Sequence, residues 1–298
     1  MDHSHHSHGH AHAHNESGRI GFAFWLNAGF ALIEFIGGLI TNSVAITSNA
    51  IHDFGDALAI GFGWLASRAA QRAPDLDYTY GYRRLSLLSA LLNGLILSIG
   101  SIWVIARAWP RLWNPQPPEL GGMFGLALLG VAINGVAALR LRGGGATQNE
   151  RMLSWHLLED VLGWSAVLVA SLIIYFTGWN AVDALLSILV ALFILFNVAR
   201  NLRNTLRLFL QVSPDARLTG EVRAALEALP EVASAHHLHL WSLDGRHHVL
   251  TTHLTLKHDL GTDQQLQLKS AIHALLAPYE LAHTTIEFEF PSEICRDH

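Results

Sequence analysis

The chain has 298 residues, 51% of them hydrophobic and 14% charged, where a soluble domain carries roughly 25% charged residues. A net charge of −5, with no basic stripe interleaved with aromatics, gives no footing to nucleic acid as a partner. A single cysteine excludes a disulfide framework and fits a reducing compartment.

The chain starts with a histidine-rich tract, DHSHHSHGHAHAH at 2–14. It has no short apolar region with a small-residue cleavage site, so no cleavable signal peptide is expected. His3, His5, His6, His8, His10, His12 and His14 alternate with Ser, Gly and Ala, a composition that cannot build a core. Residues 1–18 are therefore expected to be a disordered tail that gathers metal ions near a cytosolic entrance.

Six apolar stretches follow, each near the ~20 residues that cross ~30 Å of hydrocarbon. They run from Ile20 to Ile40, Val44 to Leu65, Leu85 to Ala108, Leu120 to Leu139, Met152 to Phe176 and Val182 to Val198. Residues 19–208 thus read as an all-α six-helix transmembrane domain with the lipid bilayer as its partner. Arg19, Arg68, Arg72, Arg83, Arg84, Arg140, Arg142, Arg151, Arg200, Arg203 and Arg207 all fall on one side of such a bundle. The positive-inside rule then puts both termini in the cytoplasm of what is expected to be a bacterial inner membrane, with Arg107 and Arg111 outvoted. Trp25, Trp103, Trp109, Trp113 and Trp179 lie mostly near span ends, as interfacial anchors do. Glycines 37, 38, 94 and 100 read as close helix packing.

Residues 209–298 have soluble character. Ala216–Leu229 reads as an amphipathic helix, Val232–Leu243 and His248–Leu256 as strands joined at Asp244-Gly245, Gln264–Leu276 as a helix, and Thr284–Phe290 as a strand. The order αββαβ predicts a cytosolic α+β, ferredoxin-like domain. It is small enough that a partner subunit would help it fold.

The chemistry sits where hydrocarbon should tolerate it least. The stretch SNAIHDFGDALAI at 48–60 carries His52, Asp53 and Asp56, and one ionised group at the bilayer centre costs roughly 2.5–3.5 kcal/mol. His52 and Asp56 are four positions apart, on one helix face. WHLLEDVLGW at 155–164 repeats the spacing with His156 and Asp160. Two neutral imidazoles and two carboxylates form a four-coordinate N2O2 set whose charge a divalent cation neutralises. Imidazole, with a reference pKa near ~6.5, binds metal only when neutral, so an acidic exterior would release the ion and load protons.

On these residues the chain resembles the cation diffusion facilitator family, in its zinc-transporting branch. YTYGYRR at 78–84 and FTGWNAVDALLS at 176–187 support the likeness. The resemblance implies a homodimeric antiporter that exports Zn2+, and often Cd2+, from the cytoplasm against inward H+. It also implies a cytosolic metal site at His236, His253 and Glu287, with Glu289 as an addition, bridging protomers and regulating transport. Zn2+ would then be both cargo and regulator. The loop between the second and third spans has Asp75, Asp77 and Tyr78 but no histidine, so the further site that some relatives carry there is expected to be absent or weak.

Asp53 and Glu159 flank the ligands where that branch commonly has apolar or small residues. They stay open as hydrogen-bonding supports, proton carriers or charge partners of a neighbouring helix, and an extra acid would broaden selectivity toward Mn2+, Co2+ or Fe2+. Asn27, Glu34, Asn93, Asn134 and Asp183 line a polar path or hydrogen-bond between helices. Two other classes compete. An intramembrane metalloenzyme would use Asp53 or Glu159 as its base, and a metal sensor would bind ions without moving them.

Overall fold

The computed structural model describes residues 10–141, 148–279 and 281–296, and within its helices the side chains of residues 10–23, 26, 137, 140–141 and 148–156 fall outside the description. Clustering of the chain gives two compact units, Met1–Leu65 with Ser89–Leu202, and Ala66–Leu88 with Arg203–His298. The segment between the second and third helices therefore groups with the C-terminal residues, a boundary that the 19–208 and 209–298 division does not contain.

Long helices make the first unit. They are α1 (His10–Ile40), α2 (Val44–Ala70), α3 (Leu85–Trp113), α4 (Leu120–Leu141), α5 (Gln148–Thr177) and α6 (Ala181–Phe209), and each contains one of the apolar stretches. Among the described residues, α3, α6 and Leu157–Thr177 of α5 are long and apolar enough to cross a membrane, while Asn27–Ile40 and Leu120–Val136 are shorter apolar runs. α2 carries its polar triplet mid-helix and is not among them. Outward faces are apolar, with Leu95, Ile99 and Ile102 of α3 and Leu189, Phe193 and Phe196 of α6 all exposed. Trp25, Trp103, Trp109, Trp113 and Trp179 are exposed as well. α1 starts at His10, so the expected tail boundary at residue 18 lies inside a helix. Extending an existing helix adds one hydrogen bond per residue ordered, which favours propagation into an Ala-containing tract.

Helix ends explain the connections. Asn42 has φ 53°, which breaks the chain between α1 and α2. Gly178 has φ 69° and donates to the Ile174 carbonyl at 2.8 Å, closing α5 as glycine caps do. α2 lies between two apolar clusters. Ile46 packs with Met123, Trp164, Val167 and Ile174, while Val44 packs with Val104, Ala108, Ile188 and Ala191.

The second unit contains α7 (Ala216–Glu227), β1 (Val232–Ser242), β2 (His248–Leu256), α8 (Thr262–Leu276), a 3-10 turn at Ala277–Tyr279 and β3 (Leu281–Glu289). The sheet order is β1-β2-β3, with β1 and β2 antiparallel and β2 and β3 parallel. A ferredoxin-like sheet would interpose an antiparallel strand between that parallel pair, whereas here β2 and β3 pair directly. Leu250, Leu254 and Leu256 of β2 are buried with Val222 and Leu226 of α7 and Leu268, Ile272 and Leu276 of α8. Because strand side chains alternate, His253 and, on β3, Glu287 and Glu289 take the other face.

Candidate metal sites

On α2, His52 Nε2 lies 3.6 Å from Asp56 Oδ2. Asp53 joins them, so that one ligand atom from each of the three falls within 4.8 Å of the others. His52 Nδ1 is buried without a hydrogen-bond partner among the described residues. Asp160 of α5 is buried and interacts electrostatically with Asp53. A Cβ on Gly163 of α5 would stand 3.0 Å from Asn49 Oδ1 of α2. Asn49 precedes Asp53 by one turn and Gly163 follows Asp160 by about one turn, so the two helices meet antiparallel at the level of the carboxylates. His156 belongs to α5, but its side chain lies outside the described residues. Glu159 is exposed and does not join the group.

Glu34 of α1 carries more than its sequence position suggested. It is buried, hydrogen-bonds to Asp53, and also meets Asn49 and Trp164. Three acids from three helices thus converge, and such a group in a low-dielectric setting demands a cation or protons. The signal was a lone acid inside an apolar span.

Other polar groups have local work. Asp183 accepts from Ser43 Oγ at 2.5 Å and from the backbone N–H groups of Val44 at 2.8 Å and Ala45 at 3.2 Å. It caps α2 rather than lining a path, since helix N-termini present unpaired N–H groups and positive dipole ends. Asn134 donates to Gly130 O within its own helix. Arg111 donates to Asn42 O at 2.8 Å and Asn42 Oδ1 at 2.7 Å, which accounts for a cation against the charge bias. Asp75 is committed to a turn, accepting from Tyr78 N at 2.7 Å and the Tyr82 hydroxyl at 2.5 Å.

In the second unit the register sets His236 opposite His253, and His253 opposite Glu287. A bulge between His236 and His239, with His237 at φ 46°, brings the His237 ring to 5.2 Å from His236 and 5.4 Å from His253. Glu289 Oε1 is 2.8 Å from His253 Nδ1, and its Oε2 is 3.0 Å from His236 Nε2. Burial alone would raise the Glu289 carboxyl. The His253 and Cys295 hydrogen bonds and the nearby His236 hold it below the usual carboxylate range. Glu287 stands 3.9 Å from His253 Nε2 and pairs with Arg296. Cys295, which the sequence reading left out, joins this face, with ligand atoms of His236, His253, Glu289 and Cys295 all within 4.8 Å. His3, His5, His6 and His8 lie outside the described residues. His10, His12 and His14 begin α1 with their side chains outside the description.

Comparison with known proteins matches this arrangement over most of its length. A sequence model described as the cation efflux transmembrane domain matches residues 20–210, and one for the cation efflux protein cytoplasmic domain matches residues 214–290. The chain belongs to the cation efflux family, the cation diffusion facilitators. It is 34% identical to zinc transporter ZitB of Shigella flexneri, over 97% of this chain and 93% of that relative. It is 32% identical to the metal cation efflux system protein CzcD of Cupriavidus metallidurans, over 90% of this chain and 84% of the relative. A "cadmium, cobalt and zinc/H(+)-K(+) antiporter" of Bacillus subtilis is 28% identical over 90% of this chain and 87% of the relative. As a member of this family the protein is a multi-pass membrane transporter and not an enzyme.

Proposed function

We propose that the protein is a proton-coupled antiporter that exports Zn2+, and with it Cd2+, from the cytoplasm. His52, Asp56, His156 and Asp160 are the four transport ligands. The observation that carries this is the close meeting of α2 and α5, with the His52–Asp56 pair on one helix and buried Asp160 on the other. Two carboxylates balance the charge of one divalent ion, and protons displace it by occupying the imidazoles on the acidic side. Alternating access about a midplane site then exchanges ion for proton. Asp53, in contact with Glu34, supports the ligands and carries protons.

In this reading six spans cross a bacterial inner membrane with both termini cytoplasmic, and the C-terminal domains pair in a homodimer. The αββαβ order represents a ferredoxin-like unit without its first strand. The histidine tail gathers ions, and metal bound at the cytosolic histidines regulates transport. A second reading has one specific support: Asp53 stands within ligand reach of His52 and Asp56, and a harder donor set admits Mn2+, Co2+ or Fe2+ alongside zinc.

Reconstituted vesicles with an imposed pH gradient provide the test. Zn2+ uptake is expected to vanish in Asp56→Ala, Asp160→Ala and His156→Ala proteins. Uptake at the normal rate in any of the three overturns the ligand assignment.

A further inference from the structure

After β3 the chain turns back on itself. Phe290 accepts at its carbonyl from Glu293 N at 2.9 Å and donates from its own N–H to Glu293 Oε2 at 2.8 Å, with Pro291 in the second position of the turn. Arg296 then pairs with Glu287, fixing the returning segment to the sheet. Between these two restraints, Cys295 Sγ comes to 3.6 Å from His253 Nδ1.

We propose that Cys295 is a thiolate ligand of a metal ion held jointly with His236, His253 and Glu289. This rests on reading the cytosolic face as metal-binding and changes what binds there. Two imidazoles, one carboxylate and one thiolate form a tetrahedral N2OS set with two negative charges, matched to a divalent ion of borderline or soft character: Zn2+, Cd2+ or Co2+. A thiolate disfavours Mn2+ and Mg2+, so the site discriminates among ions that a nitrogen and oxygen set would admit.

The distances fit. Bonds of about 2.0 Å to nitrogen and oxygen and about 2.3 Å to sulfur, at tetrahedral angles, separate neighbouring ligand atoms by roughly 3.3–3.6 Å. His253 Nδ1 to Sγ is already at 3.6 Å. The two His–Glu289 contacts, at 2.8 and 3.0 Å, open by a few tenths of an ångström when an ion replaces the shared hydrogens. On binding, the thiol gives up its proton to solvent. All four groups come from one chain, so the ion needs no ligand from a second protomer.

Because the chain has one cysteine, a sulfur-to-metal charge-transfer band identifies this site against the transport site and the histidine tail. The experiment titrates Co2+ into the full-length protein in detergent micelles and follows the near-ultraviolet spectrum. A saturable band is expected, displaced by Zn2+ or Cd2+ but not by Mn2+. It should be lost in Cys295→Ser and need about tenfold or more Co2+ in His253→Ala. The same band is expected in Asp160→Ala protein, which separates this outcome from failure of the transport reading. Cobalt bound at the cytosolic histidines without a sulfur band overturns the thiolate assignment. A band indifferent to His253→Ala overturns the shared site.

Discussion

Gly163 of α5 approaches Asn49 of α2 closely: a Cβ at Gly163 would lie 3.0 Å from the Asn49 amide oxygen, which would have to yield by a few tenths of an ångström. A much larger side chain there would wedge between the two helices carrying the proposed clamp. Gly163→Leu is expected to push them apart and cut Zn2+ flux on the order of tenfold or more in reconstituted vesicles. Gly125→Leu is the control, since open space surrounds that position and flux should stay near normal.

Asp183 ties α6 to the start of α2. Replacing it with Ala strands the Ser43 hydroxyl and the N–H groups of Val44 and Ala45 in a buried place. A loss on the order of 2–4 kcal/mol is expected, with Asp183→Asn milder because the amide oxygen still accepts. Thermal unfolding in detergent measures both. Full stability in Asp183→Ala would show that the cap contributes little.

The β1–β2 turn has a pH signature. Burial alone would raise Asp244, but N–H groups of His247 and Arg246 and the His247 imidazole at 2.7 Å hold it below the usual range. A carboxyl whose folded value is depressed contributes stability above its unfolded value of ~3.9, and the contribution is lost as pH falls through the folded value. Protection of the turn amides, measured relative to the intrinsic exchange rate at each pH, should therefore fall below about pH 4. In Asp244→Asn that protection should be lower at neutral pH and show a flatter acid dependence.

The thin parts of the sequence signal lay where distant segments meet. Apolar helices were legible because hydrocarbon requires ~20 apolar residues: all six expected stretches lie inside helices, and among the described residues three of them are long and apolar enough to cross a membrane. Strand and helix positions of the C-terminal domain were legible from period and turn residues. The place of Cys295 was not, since a turn at Phe290–Glu293 and the pairing of Arg296 with Glu287 bring the thiol to His253. For Asp183 a path-lining and an interhelical hydrogen-bonding reading both stayed open, because nothing in the linear chain shows that it meets Ser43, 140 residues away. Residues 66–84 read as a loop between spans, with no sign in the linear chain that Ala66–Leu88 group with the C-terminal residues.

By itself the sequence determined which segments are apolar and helical and which helix faces carry imidazole and carboxylate one turn apart. These are properties of local composition and period, which the chain expresses before it folds. Only the tertiary structure decided that Glu34 joins Asp53, that Asp183 serves a helix end, and that the thiol of Cys295 stands beside His253. Such pairings depend on which surfaces pack together, and the free energy of packing belongs to the whole fold.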